Sequence, residues 1–135
     1  DIGNTRDIHP KNKQEVGRRL ALWALAKNYG KKDIVYSGPL FKSFNKKNQS
    51  IIVQFNHDKG LKSSNDKPLT HFELQGSDGK WVPAEAHVHA SELIVTSKTV
   101  SKPKNIRFGW NQEAEPNLVN GAGLPASPFT SEKSK

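Results

Sequence analysis

Between residues 34 and 110 the apolar residues alternate with polar ones, and this two-residue period constrains the fold more than any other feature of the sequence. A period of two places alternate side chains on opposite faces of a β-strand. Turn-forming groups such as Ser77-Asp78-Gly79 separate the alternating runs, so each predicted strand is short. About seven strands are predicted, over residues 34–36, 41–44, 51–55, 71–74, 86–89, 93–96 and 106–110. Short strands at this spacing indicate an antiparallel β-sandwich.

One helix is predicted before the strands. Pro10 suits a helix entry, and Asn12 and Glu15 have the spacing of a capping box. Apolar residues recur at helical spacing between residues 13 and 28, at Val16, Leu20, Trp23, Ala24 and Leu25. Gly30 stands where a helix commonly ends in the left-handed conformation. The sequence therefore predicts a mainly β fold with one N-terminal helix.

Composition limits the function classes. The chain has no cysteine, which excludes disulfides, thiolate metal sites and a cysteine nucleophile. Lys and Arg total 21 against 13 Asp and Glu, a net charge of +8 at pH 7 that favours anionic partners. The basic residues are scattered in small groups such as Lys31-Lys32 and accompany no recognition motif, so we expect no nucleic-acid partner. No stretch approaches the ~20 apolar residues of a membrane span. We expect no cofactor.

The segment Asp7-Ile8-His9-Pro10 carries the most informative chemistry of the chain, because it stands immediately before the predicted helix. A histidine beside a carboxylate can accept a proton from a serine and return it to a leaving group, while the carboxylate orients the imidazole. The alternative is a surface or capping histidine. The partner of His9 stays open at this point between Asp7, a backbone carbonyl and no partner, since a two-residue spacing can point the carboxylate away from the ring.

Residues 7–24 resemble the last block of the sialate O-acetylesterase family, carbohydrate esterases of the SGNH hydrolase superfamily. Further blocks follow in the order of that family, at residues 36–43, 72–81, 84–86, 106–110, 117–120 and 123–129. The resemblance covers nearly the whole chain and implies the C-terminal portion of such an enzyme.

This resemblance implies a serine-type deacetylation of O-acetylated sialic acids or other acetylated glycans. His9 matches the general-base histidine of the family, and Asp7 is the candidate acidic partner. The blocks that carry the serine nucleophile and the oxyanion donors in the family are absent from this sequence. We therefore expect the chain to be inactive by itself and to act with an upstream catalytic polypeptide.

The resemblance also implies three regions. Residues 1–30 correspond to the end of the SGNH hydrolase domain, residues 31–110 to a β-sandwich domain, and residues 111–135 to an irregular segment that returns towards the catalytic domain. On that basis Asn117 and Asn120 are candidate substrate-binding residues. The alternative is that Leu118, Leu124 and Phe129 anchor this segment to the sandwich.

The apolar side of the predicted helix, at Val16, Leu20, Trp23 and Ala24, is expected to pack against another surface, because an exposed apolar patch of this kind usually marks an interface. It is expected to fold onto the sandwich, to pair with a second copy as a homodimer, or to hold the upstream polypeptide. The family resemblance implies a periplasmic or secreted location.

A non-catalytic carbohydrate-binding β-sandwich is the alternative function, and a basic adaptor for anionic polymers is a third. Trp81, Trp110 and Tyr36 are candidates for a sugar-stacking platform, although a place in the core is the favoured interpretation. His87 and His89 share one face of a strand, as two metal ligands would. No third ligand accompanies them, so we favour an exposed strand face and expect no metal site.

Overall fold

The computed structural model describes residues 1–4 and 6–132, and this part of the chain contains one helix and nine strands. The elements are α1 (Lys13–Lys27), β1 (Leu40–Lys47), β2 (Ser50–Asn56), β3 (Lys62–Ser63), β4 (Leu69–Gln75), β5 (Trp81–His89), β6 (Glu92–Thr96), β7 (Asn105–Phe108), β8 (Leu118–Val119) and β9 (Phe129–Thr130). The prediction of a mainly β fold with one N-terminal helix is confirmed. The last three residues of the predicted segment 111–135 lie outside the described residues.

Seven of the strands form one antiparallel sheet in the order β1-β2-β6-β5-β4-β7-β9, and β3 pairs with β8 in a second, two-stranded sheet. The large sheet curls towards a barrel, so that its two outer strands approach each other. Phe41 of β1 stacks on Phe129 of β9, with ring centroids 4.5 Å apart and planes 14° from parallel. The curled sheet thereby encloses its apolar face.

The core consists mainly of the inward-facing residues of these strands, with Leu61 and Ala126 added from the loops. The alternation on β2, with Ile51, Val53 and Phe55 buried, is the pattern that the sequence predicts. The other large side chains of this core are Phe72, Leu74, Leu93, Val95, Ile106, Phe108, Leu118 and Phe129. Each such burial contributes roughly 1.5–3 kcal/mol to folding. The β-structure therefore has a core of its own, without help from α1.

Six of the seven predicted strands are present, and the prediction for residues 34–36 is wrong. These residues lie outside the ladders, and side chains from other parts of the chain contact this segment. The backbone carbonyl of Ser37 accepts a hydrogen bond from Nδ2 of Asn120, and the ring of Tyr36 packs against Trp23. The strands that the sequence did not predict, β3, β8 and β9, have two residues each, too few to show a period.

The helix begins and ends as predicted. Oδ1 of Asn12 accepts a hydrogen bond from the backbone N–H of Glu15 at 3.1 Å, which is the N-cap contact. The carboxylate of Glu15 binds Arg18 and Arg19, in place of the return contact of a capping box. Gly30 has a φ of 65° just beyond the helix, in the left-handed conformation that favours glycine.

Contact between α1 and the β-structure runs through Tyr36. The ring of Trp23 meets Tyr36 edge-on at 4.9 Å, and Tyr36 meets His57 at 5.0 Å. No residue of α1, which is described throughout, is buried. Leu20 is 67% exposed, and Val16 and Trp23 are also exposed. The apolar side of the helix is therefore largely uncovered in this chain.

Candidate functional site

Asp7 and His9 are in contact, which answers the question that their spacing left open. Nδ1 of His9 lies 3.1 Å from Oδ1 of Asp7, and the same oxygen accepts the backbone N–H of His9 at 2.9 Å. The second contact is an Asx turn, in which an aspartate bonds the backbone two residues further on. This turn folds the carboxylate back towards the ring, so the two-residue spacing is compatible with a carboxylate–imidazole pair.

A turn upstream and a proline downstream position this pair. The backbone N–H of Asp7 donates to the carbonyl of Asn4 at 3.2 Å, and Oδ1 of Asn4 accepts the N–H of Arg6 at 3.0 Å. Pro10 then has a fixed φ, and α1 starts three residues later. The pair therefore stands on a short, locally bonded segment directly before the helix.

The imidazole is accessible, since the side chain of His9 is 80% exposed and that of Asp7 is 40% exposed. When the Nδ1–H group donates a hydrogen bond to the carboxylate, the neutral imidazole presents Nε2 as an acceptor. Such a group can take a proton from a nucleophile that approaches from solvent or from a partner. The arrangement corresponds to two of the three side chains of a Ser-His-Asp triad.

An ion-pair network joins the start of the chain to α1. Arg19 binds both Asp1 and Glu15, and Arg18 binds Glu15 with Nη2–Oε1 and Nε–Oε2 distances of 2.6 and 2.7 Å. Hydrogen bonds from Arg18 and then from Arg19 lower the pKa of Glu15 from 4.5 to about 2. The carboxylate of Glu15 is therefore ionised throughout the neutral and mildly acidic range.

Asn117 is buried, and its amide is bonded within the chain. Its Oδ1 accepts the backbone N–H of Thr70 at 3.0 Å, and its Nδ2 donates to the carbonyl of Pro68 at 2.9 Å. The same Nδ2 lies within 3.1 Å of Ser63 and 3.0 Å of Asn65. These contacts hold the loop before β4 against β8. Substrate binding by Asn117 stays a prediction.

Asn120 is 1% exposed and joins three parts of the backbone. Its Nδ2 donates to the carbonyls of Ser37 and His57 at 2.9 and 3.1 Å. Its Oδ1 accepts the N–H groups of Ala122 and Leu124, both at 3.1 Å. Substrate contact by Asn120 likewise stays a prediction, and the bonds that it makes here are structural.

The anchoring interpretation of the C-terminal segment is confirmed for its three apolar residues. Leu118, Leu124 and Phe129 are all buried, and Phe129 also meets Phe55 edge-on at 5.7 Å. The segment thus follows the β-structure closely up to β9.

The interpretation of the large aromatic residues as core is wrong. Trp110 is 50% exposed, and Tyr36 and Trp81 are partly exposed. The guanidinium of Arg107 lies over the ring of Trp81 at 4.5 Å, and Glu73 binds that guanidinium with an Nε–Oε2 distance of 2.7 Å. One face of the Trp81 indole is therefore covered by a fixed cation.

The two strand histidines lie on an exposed face, as favoured from the sequence. His87 and His89 of β5 are both exposed and pair across the ladder with Ile94 and Glu92 of β6. Within the described residues, no group of three or more His, Cys, Asp or Glu side chains is arranged to hold a metal ion.

The chain is similar to carbohydrate acetylesterases over almost its full length. It is 28% identical over 133 residues to a sialate O-acetylesterase of Rattus norvegicus and 26% identical over 135 residues to that of Mus musculus. Its structure superposes on a carbohydrate acetylesterase from Xanthomonas citri with a TM-score of 0.93 and 36% identity, over 99% of this chain. The resemblance to sialate O-acetylesterases is confirmed. No protein-family model matches the chain.

The acetylesterase relatives are much longer than this chain. It spans 24% and 25% of the two curated sialate O-acetylesterases and 31% of the Xanthomonas citri chain. These proportions are consistent with a C-terminal portion of such an enzyme. No helix in the described part of the chain is long and apolar enough to cross a membrane.

Sequence reasoning missed a groove between the linker after α1 and the C-terminal segment. It has a volume of about 620 Å³ and is lined by Ile34, Val35, Tyr36, His57, Lys59, Gly60, Asn120, Gly121 and Ala122. His57 forms part of its wall with a φ of 61°, which is unusual for a residue other than glycine. Residues from distant parts of the sequence meet here, and no local pattern reveals such a groove.

Proposed function

We propose that this chain supplies the general base of a serine-type carbohydrate acetylesterase. His9 is the base, Asp7 orients it, and the serine nucleophile belongs to an upstream catalytic polypeptide. The observation that carries the proposal is the 3.1 Å contact between Nδ1 of His9 and Oδ1 of Asp7. The similarity to sialate O-acetylesterases and to the Xanthomonas citri acetylesterase supports it.

The proposed substrates are O-acetylated sialic acids or related acetylated glycans. The serine oxygen attacks the acetyl carbonyl carbon while Nε2 of His9 accepts the serine proton. His9 then gives this proton to the sugar oxygen, and the deacetylated sugar leaves. Next His9 takes a proton from a water molecule, and the resulting hydroxide attacks the acyl-serine. His9 returns the proton to the serine oxygen as acetic acid leaves, and the acid then ionises to acetate in water. No cofactor is needed for these reaction steps.

In this proposal α1 is the point of attachment to the catalytic polypeptide. Its apolar side, formed by Val16, Leu20 and Trp23, is exposed in this chain. The Xanthomonas citri relative has more than two thirds of its length outside the matched region, enough to supply a covering domain. Residues 1–30 would then complete the catalytic domain, with the β-sandwich of residues 31–110 appended and residues 111–135 returning towards it.

We define the assembled enzyme as this chain together with the upstream catalytic polypeptide, whether on one chain or on two. Native and then denaturing mass spectrometry of the purified protein tests the arrangement. A larger polypeptide held with this chain, and acetyl release by that complex, is the expected result. A lone chain of 15.0 kDa or its homodimer that hydrolyses acetyl esters at enzymatic rates would contradict the proposal. A periplasmic or secreted location belongs to the same proposal.

A non-catalytic carbohydrate-binding module is the second candidate, and the half-exposed indole of Trp110 favours it. Exposed indoles are large apolar surfaces on which a sugar ring can pack. Titration of this chain with acetylated glycans, using Trp110→Ala and the exposed control Tyr29→Ala, tests it. Binding that Trp110→Ala abolishes and Tyr29→Ala retains would support the module, and absence of binding would exclude it.

A further inference from the structure

We infer that Arg19 is a positioning residue for His9, an inference that rests on the proposed function. Arg19 does not touch His9, and it acts on the segment that carries the Asp7–His9 pair. The established similarities assign no role to this residue. The inference comes from the contacts between Arg19, Asp1 and Glu15 and from the way in which the intervening segment is closed.

The guanidinium of Arg19 is bound on two sides. Its Nη1 and Nη2 donate to the two carboxylate oxygens of Asp1 at 2.9 and 2.7 Å. Its Nε donates to Oε1 of Glu15 at 2.8 Å. A planar guanidinium that satisfies a carboxylate through two parallel bonds fixes the orientation of both groups. Arg19 therefore fastens Asp1 to the second turn of α1.

This contact turns the segment before the helix into a closed loop. The upstream end is held at Asp1 by Arg19, and the downstream end is held at Asn12 by the N-cap of α1. Between these ends the Asn4–Asp7 turn and the Asx turn at Asp7 shape the backbone. Without the Arg19–Asp1 contact the segment that carries His9 loses one of its two attachments to α1, and the imidazole of His9 is positioned less closely.

Loss of the Arg19–Asp1 contact, called the clamp from here on, is expected to affect catalysis more than stability. The side chains of Arg19 and Asp1 are 24% and 30% exposed, and ion pairs at a surface usually contribute little to the free energy of unfolding, with bidentate pairs in a network contributing more. Reaction geometry is far more sensitive, because a displacement of about 1 Å between reacting groups can lower a rate by roughly 10²-fold. We therefore expect loss of the clamp to lower the rate of catalysis by a larger factor than it lowers the stability of the fold.

Arg18 provides a matched control. It is one residue away on the same helix and binds the same Glu15 carboxylate, but its hydrogen bonds in the described structure do not reach Asp1. Arg18→Ala therefore removes the same charge and one ion pair while it leaves the loop closed. Arg19→Lys keeps the charge and loses the bidentate contact, and Asp1→Asn weakens the clamp from its other end.

The first test measures acetyl release by the assembled enzyme. We expect Arg19→Ala to lower kcat by roughly 10- to 100-fold with KM unchanged, Arg19→Lys and Asp1→Asn to show intermediate losses, and Arg18→Ala to leave kcat within about twofold of the parent. Equal kcat values for Arg19→Ala and Arg18→Ala would overturn the inference. The inference would also be overturned if the loss of activity followed the fall in melting temperature across Arg19→Ala, Arg19→Lys and Asp1→Asn.

The second test uses NMR of this chain and needs no activity. We expect nuclear Overhauser contacts between residues 2–4 and α1 in the parent and in Arg18→Ala, and their loss in Arg19→Ala together with broadened His9 ring signals. Unchanged contacts in Arg19→Ala would overturn the inference. If the His9→Ala variant of the assembled enzyme kept the activity of the parent, the proposed function would be refuted. The NMR result would still decide whether Arg19 closes the loop.

Discussion

Nδ1 of His9 and Oδ1 of Asp7 lie 3.1 Å apart, and the same aspartate oxygen accepts the backbone N–H of His9. The carboxylate therefore holds both the ring and the backbone of the residue that it orients. In a Ser-His-Asp triad the aspartate fixes the tautomer of the histidine and stabilises its charged form. The Asx turn brings the carboxylate and the ring together across a spacing of two residues, which is the contact that the proposed triad requires.

Replacement of the aspartate tests this orientation. We expect Asp7→Asn to lower kcat of the assembled enzyme by roughly 10³- to 10⁴-fold, because an amide can present its N–H to Nδ1 and stabilise the wrong tautomer. Steady-state kinetics of acetyl release measure the effect. Asp33→Asn, at an exposed aspartate, is the control and should leave kcat unchanged. A kcat of Asp7→Asn close to that of the control would exclude Asp7 as the triad acid.

The network around Glu15 predicts an acid-dependent stability of α1. Arg18 and Arg19 hold the pKa of Glu15 at about 2 in the folded chain, below its ordinary value of 4.5. A lowered pKa means that the carboxylate binds its proton less readily when folded. The contribution of this group to stability is therefore fully present above about pH 4.5 and is lost as the pH falls towards 2.

Circular dichroism of the helix between pH 6 and pH 2 measures this loss. Glu15→Gln should show lower helix stability at pH 6 and a smaller change on acidification than the parent, since the amide does not titrate. Identical acid profiles for the parent and Glu15→Gln would show that this carboxylate does not contribute.

Removal of the buried Asn120 amide is expected to lower the stability of the fold strongly. Asn120→Ala removes the partners of two backbone N–H groups and two carbonyls in a buried place. We expect the free energy of unfolding to fall by at least about 2 kcal/mol, as measured by urea denaturation. Asn56→Ala, at an exposed asparagine, should change it by less than about 0.5 kcal/mol. Equal effects of the two substitutions would contradict the structural role given to Asn120.

Two glycines predict effects of opposite sign. A Cβ added at Gly38 would stand 1.9 Å from the backbone oxygen of Pro125, so Gly38→Ala must displace the chain. A Cβ at Gly17, in the middle of α1, meets nothing within 4 Å. We expect Gly38→Ala to lower the free energy of unfolding by roughly 1–3 kcal/mol and Gly17→Ala to raise it by about 1 kcal/mol. Thermal unfolding measures both, and a stabilising Gly38→Ala would contradict a close approach of this backbone to Pro125.

The helix and most strands could be predicted because their signals are local. Asn12 caps α1 through a hydrogen bond to a residue only three positions further along the chain. The alternating burial of Ile51, Val53 and Phe55 follows directly from the pleat of one strand. Residues 34–36, Ile34-Val35-Tyr36, are also typical strand-forming side chains and yet form no strand. Tyr36 packs against Trp23 of α1, and the carbonyl of the next residue, Ser37, accepts a hydrogen bond from Asn120. Such contacts leave no trace in a short window of sequence.

The candidate site was likewise predictable only where its features are local. His9 and Asp7 are close in the sequence, so they could be predicted as a pair. Their contact depends on the Asx turn, which the sequence did not reveal. For Asn117 and Asn120 the sequence indicated polar side chains in an irregular segment. It could not reveal that Asn120 bonds backbone groups 83 and 63 residues away.

The central claim is that His9 is the general base of the assembled enzyme. The most direct measurement is the rate of acetyl release from an O-acetylated sialic acid by the parent, by His9→Ala and by His87→Ala, the last a control at an exposed strand histidine. We predict that His9→Ala lowers kcat by roughly 10²- to 10⁴-fold and that His87→Ala leaves it unchanged. A His9→Ala enzyme that retains the activity of His87→Ala would contradict the account.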